Sequence, residues 1–275
     1  MSGKPYAEVI GDPIAHSKSP LIYNFWLGKL GIDAEYRACH VRADELEDYF
    51  AQRRGDAEWR GCNVTMPHKE RTLGLVDWLD DMAKDTVAAN CVFKEGTALG
   101  ATNTDVWGVA TTLGLLEAKD PIVIIGAGGA ARAVLKNLSM LGALEVHLVA
   151  RDLAKAQALL TDFDLYGEAW RLGEKLDIPF TMLLINASPL GMAGKAEMPA
   201  AIFDLVDGLK QHAMVFDMVY APPETPLLKA ALARGLQAVN GLGMLVDQAR
   251  QSFELFFGVR PPMELDEQLF ELLTA

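Results

Sequence analysis

Cysteine is scarce in this chain: Cys39, Cys62 and Cys91 are its three, odd in number and far apart. They make neither a disulfide framework nor a CxxC metal pair, so a reducing cytoplasm is the expected location. Long apolar runs are missing as well. Although 51% of the residues are hydrophobic, no run approaches the length that spans a bilayer, and the opening "MSGKPYAEVIGDP" lacks a signal peptide's apolar stretch. Positive charge is in deficit, with 25 Lys and Arg against 37 Asp and Glu, a formal net charge of −12. That balance argues against nucleic acid or an anionic membrane as partner. It leaves open small anionic metabolites held by local positive groups. The five histidines show no ligand spacing, so no metal site is expected. Repeats and low-complexity linkers are absent too.

What is there is an alternation of strand and helix signals. The 275 residues can bury one large core or two smaller ones. "YAEVIG" reads as a strand and "SPLIYNFWLGKLG" as a helix, with Ser19 as N-cap, Pro20 in the first turn and Gly31 past the end. "AEYRACHV" is strand-like, "RADELEDYFAQRR" helical, "GCNVT" a short strand, and "NCVFKEGTALGATN" a hairpin around Glu95 and Gly96. A second run begins near Pro121, where "PIVIIGAGGAARAVLKNLSMLGALEVHLVARD" reads strand, glycine turn, helix, strand. Strands follow at "TMLLINA" and "AMVFDMV", a helix at "TPLLKAALARG" ending at Gly235, and two amphipathic helices close the chain. The pattern predicts an α/β protein with mainly parallel sheets. It divides into residues 1–105, a dinucleotide-type domain over 106–240, and C-terminal helices over 241–275 that are expected to pack on the first part.

In "GAGGAARA", Gly126, Gly128, Gly129 and Ala130 lie between the strand and the helix. Glycines there let backbone approach a phosphate while helix N–H groups face it, although the usual third glycine position holds Ala131. The plain alternative is a tight turn that packs well. The surrounding strand–turn–helix–strand favours the cofactor reading. At the end of the next strand stand Arg151, Asp152 and Lys155. An arginine suits the 2′-phosphate of NADP, whereas an acid suits the NAD ribose, so the preference stays open. Asp152 is equally an ordinary helix N-cap.

Polar residues gather after the strands of the first part. Ser17 and Ser19 follow the first strand, and Asn63 and Thr65 end another. Asn90 and the trio Asn103 to Asp105 complete the set. Each alone is turn chemistry; together they would line one rim and suit a substrate with several hydroxyl groups. In "GCNVTMPHKE", Pro67 is expected to start a helix with Lys69 in its first turn, the unfavourable end of the macrodipole for a cation. A lysine so placed and partly desolvated is suited to proton transfer, with Asp105 as partner. A surface salt bridge is the alternative, and spacing alone does not decide.

Taken together, "HSKSP", "NVTMPHK", "NTD", "GAGGAARA", "DMVYAPPETPLL" and "GLGMLVDQA", in this order, resemble the shikimate dehydrogenase family over nearly the whole chain. The resemblance implies a substrate domain made of the N-terminal segment and the last helices, a Rossmann-like domain, and an active site in the cleft between them. The reaction would be reversible hydride transfer between NADP or NAD and the alcohol carbon of a hydroxylated cyclic carboxylate. Lys69 and Asp105 would be the catalytic lysine and its partner. Ser17, Ser19, Asn63, Thr65, Asn90, Tyr220 and Gln248 would bind substrate, the serines holding its carboxylate. Met218 and Gly241 match positions near the nicotinamide, and packing at a strand end would equally explain Met218. A homodimer is compatible with this reading.

The chain departs from the family pattern at several points. Tyr23 stands where a histidine is common, Cys91 where threonine is usual, and Ala221 where asparagine is frequent. "ARD" replaces "NRT", so Ala150 and Asp152 remove two groups that help recognise the NADP phosphate. A quinate- or aminoshikimate-directed relative is therefore an alternative. Others are a methylenetetrahydrofolate-type dehydrogenase, against which the paired serines speak, and a non-catalytic NAD(P)-binding sensor. A thermal-shift screen with NAD, NADP, shikimate, quinate and folates separates them. Stabilisation by a hydroxylated carboxylate together with a nicotinamide cofactor is expected; stabilisation by folate alone would reverse the ranking.

Overall fold

The computed structural model describes residues 3–114 and 118–275. The chain forms two compact units, Met1–Gly108 with Leu245–Ala275, and Val109–Met244. The first contains β1 (Tyr6–Gly11), α1 (Ser19–Leu30), β2 (Glu35–His40), α2 (Leu46–Gly55) and β3 (Trp59–Val64). It continues through β4 (Trp78–Leu79), α3 (Asp81–Thr86), β5 (Cys91–Glu95), β6 (Ala98–Thr102) and the start of α4 (Asp105–Leu113). The second runs through β7 (Ile122–Ile125), α5 (Gly129–Met140), β8 (Val146–Ala150), α6 (Leu153–Asp162), β9 (Ala169–Arg171) and β10 (Leu183–Asn186). Then come α7 (Ala200–Gly208), β11 (Met214–Asp217), α8 (Pro226–Ala233) and β12 (Gln237–Asn240). The helix α9 (Leu242–Phe257) leads back into the first unit, which ends in α10 (Asp266–Thr274). No helix among the described residues is long and apolar enough to cross a membrane.

In the first unit the strand order is β2-β1-β3-β5-β6-β4, with β5 antiparallel to both neighbours. The turn at Gly96, φ 63°, makes the β5–β6 hairpin. On α1 the buried residues Ile22, Tyr23, Trp26 and Leu27 share one face, as the helical repeat requires. Tyr23 and Trp26 pack there against Phe253 of α9. A second apolar cluster joins Leu46, Tyr49 and Phe50 of α2 to Ile10, Trp59, Val92 and Leu99 of the sheet. Glu8, in the middle of β1, is 1% exposed. Its burial is tolerable because Arg53 bonds both carboxylate oxygens (2.7 and 3.1 Å), Arg37 adds a bond at 3.0 Å and the Tyr49 hydroxyl one at 2.8 Å.

The second unit has the order β12-β11-β10-β7-β8-β9, parallel throughout. A parallel sheet covered on both faces needs near-continuous apolar strands, which "IVII" and "VHLVA" supply. The first strand of this unit lies beside the fourth, so the chain order reverses between β7 and β10. In open α/β sheets that reversal is where ligands bind.

Two local expectations fail. Ser19 is not the N-cap of α1: it is the first helical residue, Lys18 precedes it, and the Ser17 hydroxyl oxygen accepts from the Ser19 N–H at 3.2 Å. Lys18 is therefore the N-cap and gives no side-chain cap, and Pro20, lacking an N–H, fits the first turn. Nor does Pro67 start a helix. Residues 66–70 form turns, and a single 3₁₀ stretch, Arg71–Leu75, follows only after Lys69. The main chain around Pro67 is tied into a turn instead. Thr65 N–H bonds Ile10 O, His68 N–H bonds Thr65 O, and Asp12 N–H bonds Met66 O, at 2.9 to 3.0 Å.

Candidate active site

The strand register collects the polar residues of the first unit. Residues Val9 and Asn63 pair across β1 and β3, Asn63 faces Cys91, and Cys91 faces Thr102. The ends of β1, β3 and β6 and the start of β5 therefore share one rim. Asn90 precedes its strand rather than following it, and reaches the rim because β5 runs backwards.

At that rim Lys69 forms an ion pair with Asp105 Oδ2, their side chains 15% and 8% exposed. The other carboxylate oxygen accepts from Asn90 Nδ2 at 2.8 Å. Lys69 is held by its main chain, its carbonyl accepting the Ala89 N–H at 2.9 Å. Beside it, the buried His68 ring donates from Nε2 to the Val41 carbonyl at 2.6 Å. Asp105 opens α4, and Asn103 Oδ1 accepts its N–H at 3.2 Å. Behind the pair, Asn90 meets Thr104 Oγ1 at 3.0 Å and Gln248 Oε1 at 3.2 Å, and receives the Thr104 N–H on Oδ1 at 2.7 Å. So Lys69, Asp105, Asn90 and Gln248 form one hydrogen-bonded group. Ser17 and Thr65 lie in loops of that rim and Ser19 opens α1, but among the described residues no side-chain hydrogen bond links them to the group.

Asn63 differs from its expected role. Its Oδ1 accepts from Tyr23 and Tyr36, each at 2.7 Å, and its Nδ2 donates to Ser252 Oγ at 2.9 Å and to Asn90 O at 3.4 Å. An amide has two acceptor and two donor positions, and all are used by the protein. The two phenols stack at 3.8 Å, and burial pushes both pKa values well above the ordinary one. Cys91, next to Asn90, is likewise kept a thiol, its pKa pushed up to about 12 by burial. Sequence reading passed over Ser252 and Tyr36; the helical spacing from Gln248 to Ser252, one turn, was the available signal for Ser252.

The second unit presents a phosphate-type cradle. After β7 the chain turns at Gly126, φ 118°, where a Cβ would lie 2.9 Å from the Ala187 carbonyl oxygen. Gly128 is the N-cap of α5 and gives it no side-chain cap, and a Cβ there would meet nothing within 4 Å. The helix N–H groups at Gly129 and Ala130 are thus open to an anion, and this fits a dinucleotide's pyrophosphate. At the end of β8, Arg151 is exposed, while Asp152 caps α6 by accepting the Lys155 N–H at 3.0 Å. Met218 and Tyr220, both half-buried, follow β11. A Cβ on Gly241 would lie 2.1 Å from the Met218 carbonyl oxygen, so only glycine lets the chain pass there.

Comparison with known proteins decides the relationship. Residues 9–92 match the shikimate dehydrogenase substrate binding domain, and residues 241–268 the shikimate 5′-dehydrogenase C-terminal domain. The shikimate dehydrogenase (NADP(+)) of Sphingopyxis alaskensis is 48% identical over 274 residues, covering 98% of this chain and 97% of its own. The chain belongs to the shikimate dehydrogenase family. The Thermus thermophilus shikimate 5-dehydrogenase, solved with NADP(H) and shikimate, superposes with a TM-score of 0.83 at 32% identity, covering 98% of this chain and 99% of its own. The ligand-free 5-ketofructose reductase of a Gluconobacter strain has the same TM-score of 0.83 at 30% identity, covering 98% and 99%. This shikimate dehydrogenase family member is accordingly an oxidoreductase.

One further cluster escaped the sequence reading. Asp217, fully buried at the end of β11, accepts from Thr225 Oγ1 (2.6 Å), Asn186 Nδ2 (2.8 Å) and Val219 N–H (3.0 Å). It ties the segments after β10 and β11 to the cap of α8, where Thr225 accepts the Leu228 N–H. Burial raises its pKa above the ordinary 3.8, and the three donors offset only part of that. The native carboxyl therefore binds protons that the unfolded one has released, over a window starting at 3.8, so stability falls as pH rises through that window. Asp217→Asn, which removes the titrating carboxyl, should remove this slope. Urea unfolding between pH 4 and 7, wild type against variant, measures it; parallel curves would contradict the assignment.

Proposed function

We propose that the chain interconverts shikimate and 3-dehydroshikimate, with NADP as the preferred cofactor and Lys69 as the proton carrier. The observation that carries this reading is the Lys69–Asp105 pair, largely shielded from water and fixed by Asn90. When bound, the nicotinamide supplies or takes the hydride. In the oxidative direction neutral Lys69 accepts the hydroxyl proton, and in reduction its ammonium form returns one. Asp105 holds the amine on the reacting oxygen and bonds a neighbouring hydroxyl. Ser17 and Ser19 hold the substrate carboxylate, Thr65 and Gln248 take the ring hydroxyls, and Asn90, whose amide protons go to Asp105 and Thr104, aligns these groups from behind. Tyr220 adds a contact from the segment after β11. Asn63, whose hydrogen-bonding positions are filled, acts one layer behind them.

The cofactor preference rests on the end of β8. Asp152 spends a carboxylate oxygen on capping α6, which leaves Arg151 as the exposed group suited to a 2′-phosphate. Gly126 and Gly128 to Ala130 take the pyrophosphate, Lys155 adds positive charge beside the ribose, and Met218 and Gly241 border the nicotinamide. The relatives named for NADP(+) support this choice.

Two kinetic outcomes follow. Lys69→Ala should lose about a hundredfold or more in kcat while substrate affinity changes much less; a variant with near-normal turnover would remove Lys69 as proton carrier. Native protein should show the higher kcat/KM with NADP, and Arg151→Ala should cut that value by about tenfold while leaving NAD use nearly unchanged. Equal losses for the two cofactors would exclude Arg151 as the discriminating residue.

A further inference from the structure

Buried hydroxyls take their proton directions from the donors and acceptors around them. Thr104 and Ser252 are such a pair, 2% and 0% exposed, with their oxygens 3.2 Å apart. Neither would touch substrate. Their directions can be worked out from the fixed donors and acceptors around them.

A main-chain carbonyl only accepts, so the side of Asn63 that faces Asn90 O must be Nδ2, and the same nitrogen donates to Ser252 Oγ. Ser252, having accepted that proton, has its own to give. Asn90 is fixed just as firmly. Its Nδ2 faces the Asp105 carboxylate at 2.8 Å and its Oδ1 accepts the Thr104 N–H at 2.7 Å. Its second Nδ2 proton lies nearer Thr104 Oγ1, at 3.0 Å, than Gln248 Oε1, at 3.2 Å. Gln248 Nε2 is anchored on the Leu245 carbonyl at 3.0 Å, which turns Oε1 toward Thr104 Oγ1 at 3.2 Å. Thr104 Oγ1 also lies 3.1 Å from Asn90 Oδ1, an oxygen that already takes the Thr104 N–H. With the Asn90 Nδ2 proton on Thr104, Gln248 Oε1 is satisfied only if Thr104 accepts from Asn90 and Ser252 and donates to Gln248.

We propose that Thr104 and Ser252 are positioning residues for Gln248: Ser252 donates to Thr104, and Thr104 donates to Gln248 Oε1. The amide of Gln248 is thereby held with its second Nε2 proton turned toward the substrate hydroxyl. The chain has a fixed direction because it starts at two phenols, Tyr23 and Tyr36, that donate to Asn63. The alternative use of the Ser252 proton, on the Gln248 carbonyl one turn back at 3.2 Å, would leave Thr104 one donor short. The inference rests on the reading of Gln248 as substrate-binding.

The test is a double-mutant cycle on steady-state kinetics with shikimate and NADP. Thr104→Val keeps the shape and removes the hydroxyl. It should raise the shikimate KM about fivefold with kcat within about twofold and the NADP KM unmoved. Thr104→Ser should restore the native value, and Ser252→Ala should shift KM in the same direction. In a Gln248→Ala background, Thr104→Val should add nothing further. The same KM increase in both backgrounds would overturn the proposal. So would a Thr104→Val variant that lowers kcat and raises both KM values together, as a loosened fold would. A Gln248→Ala variant with unchanged shikimate KM would overturn the reading of Gln248 itself, and with it this inference. Normal Thr104→Val kinetics beside a defective Gln248→Ala would overturn the inference alone.

Discussion

A single buried amide holds the first unit's rim together. Asn90 lies where the antiparallel hairpin begins, and its main chain bridges two strands, with its carbonyl accepting the Val64 N–H at 2.7 Å and its N–H bonding Thr102 O at 3.1 Å. Its side chain then reaches Asp105, Thr104 and Gln248. Because so few alternatives exist for a 3% exposed amide, each of these partners is located by the need to satisfy it. Asp105 is aimed at Lys69 by that constraint and by Asn103. The site is rigid because its polar groups would each be costly to leave unpaired.

Much of this was legible in the sequence, and the parts that were not share a cause. Gly31 and Gly235 end their helices with positive φ, 65° and 69°, and Asp152 caps α6, all features that local chemistry alone dictates. The glycine turn after β7 likewise follows from backbone sterics. By contrast, the antiparallel pairing of β5 with β3, which brings Asn90 to the rim, depends on a partner about thirty residues away in sequence, for which local pattern has no signal. The unit boundaries fall inside α4 and α9, whose unbroken helical spacing hides them. Ser252, Tyr36 and Asp217 were passed over because serine, tyrosine and aspartate are ordinary residues until something distant completes their hydrogen bonds.

The two units bury polarity in different ways. In the second, one carboxylate, Asp217, gathers three donors and ties the loops after β10 and β11 to the cap of α8. In the first, the network behind the rim is made of uncharged amides and hydroxyls, and the charge is confined to Lys69 and Asp105. That division is chemically sensible. Neutral groups fix direction without adding a field that would compete with the ion pair, whereas the Asp217 carboxylate braces loops of its own unit. Glu8, held by Arg37, Arg53 and Tyr49, is the bracing type within the first unit.

Lysine at the start of a helix would have been a direct electrostatic account of a proton carrier, and the structure withdraws it. Lys69 stands in a turn before a five-residue 3₁₀ stretch, too short to carry an appreciable macrodipole. What positions it is main chain: the Ala89 N–H on its carbonyl, and flanking residues anchored to Ile10 and Val41. The order of the motif takes on a different meaning. Asn63 and Val64 end a strand, Thr65 and His68 lock the turn to neighbouring strands, and the lysine emerges with its backbone fixed and its long side chain extended to one carboxylate. Such a side chain delivers a mobile group to a fixed point, so the precision of the site resides in Asp105 and the amides behind it rather than in the lysine's own helix.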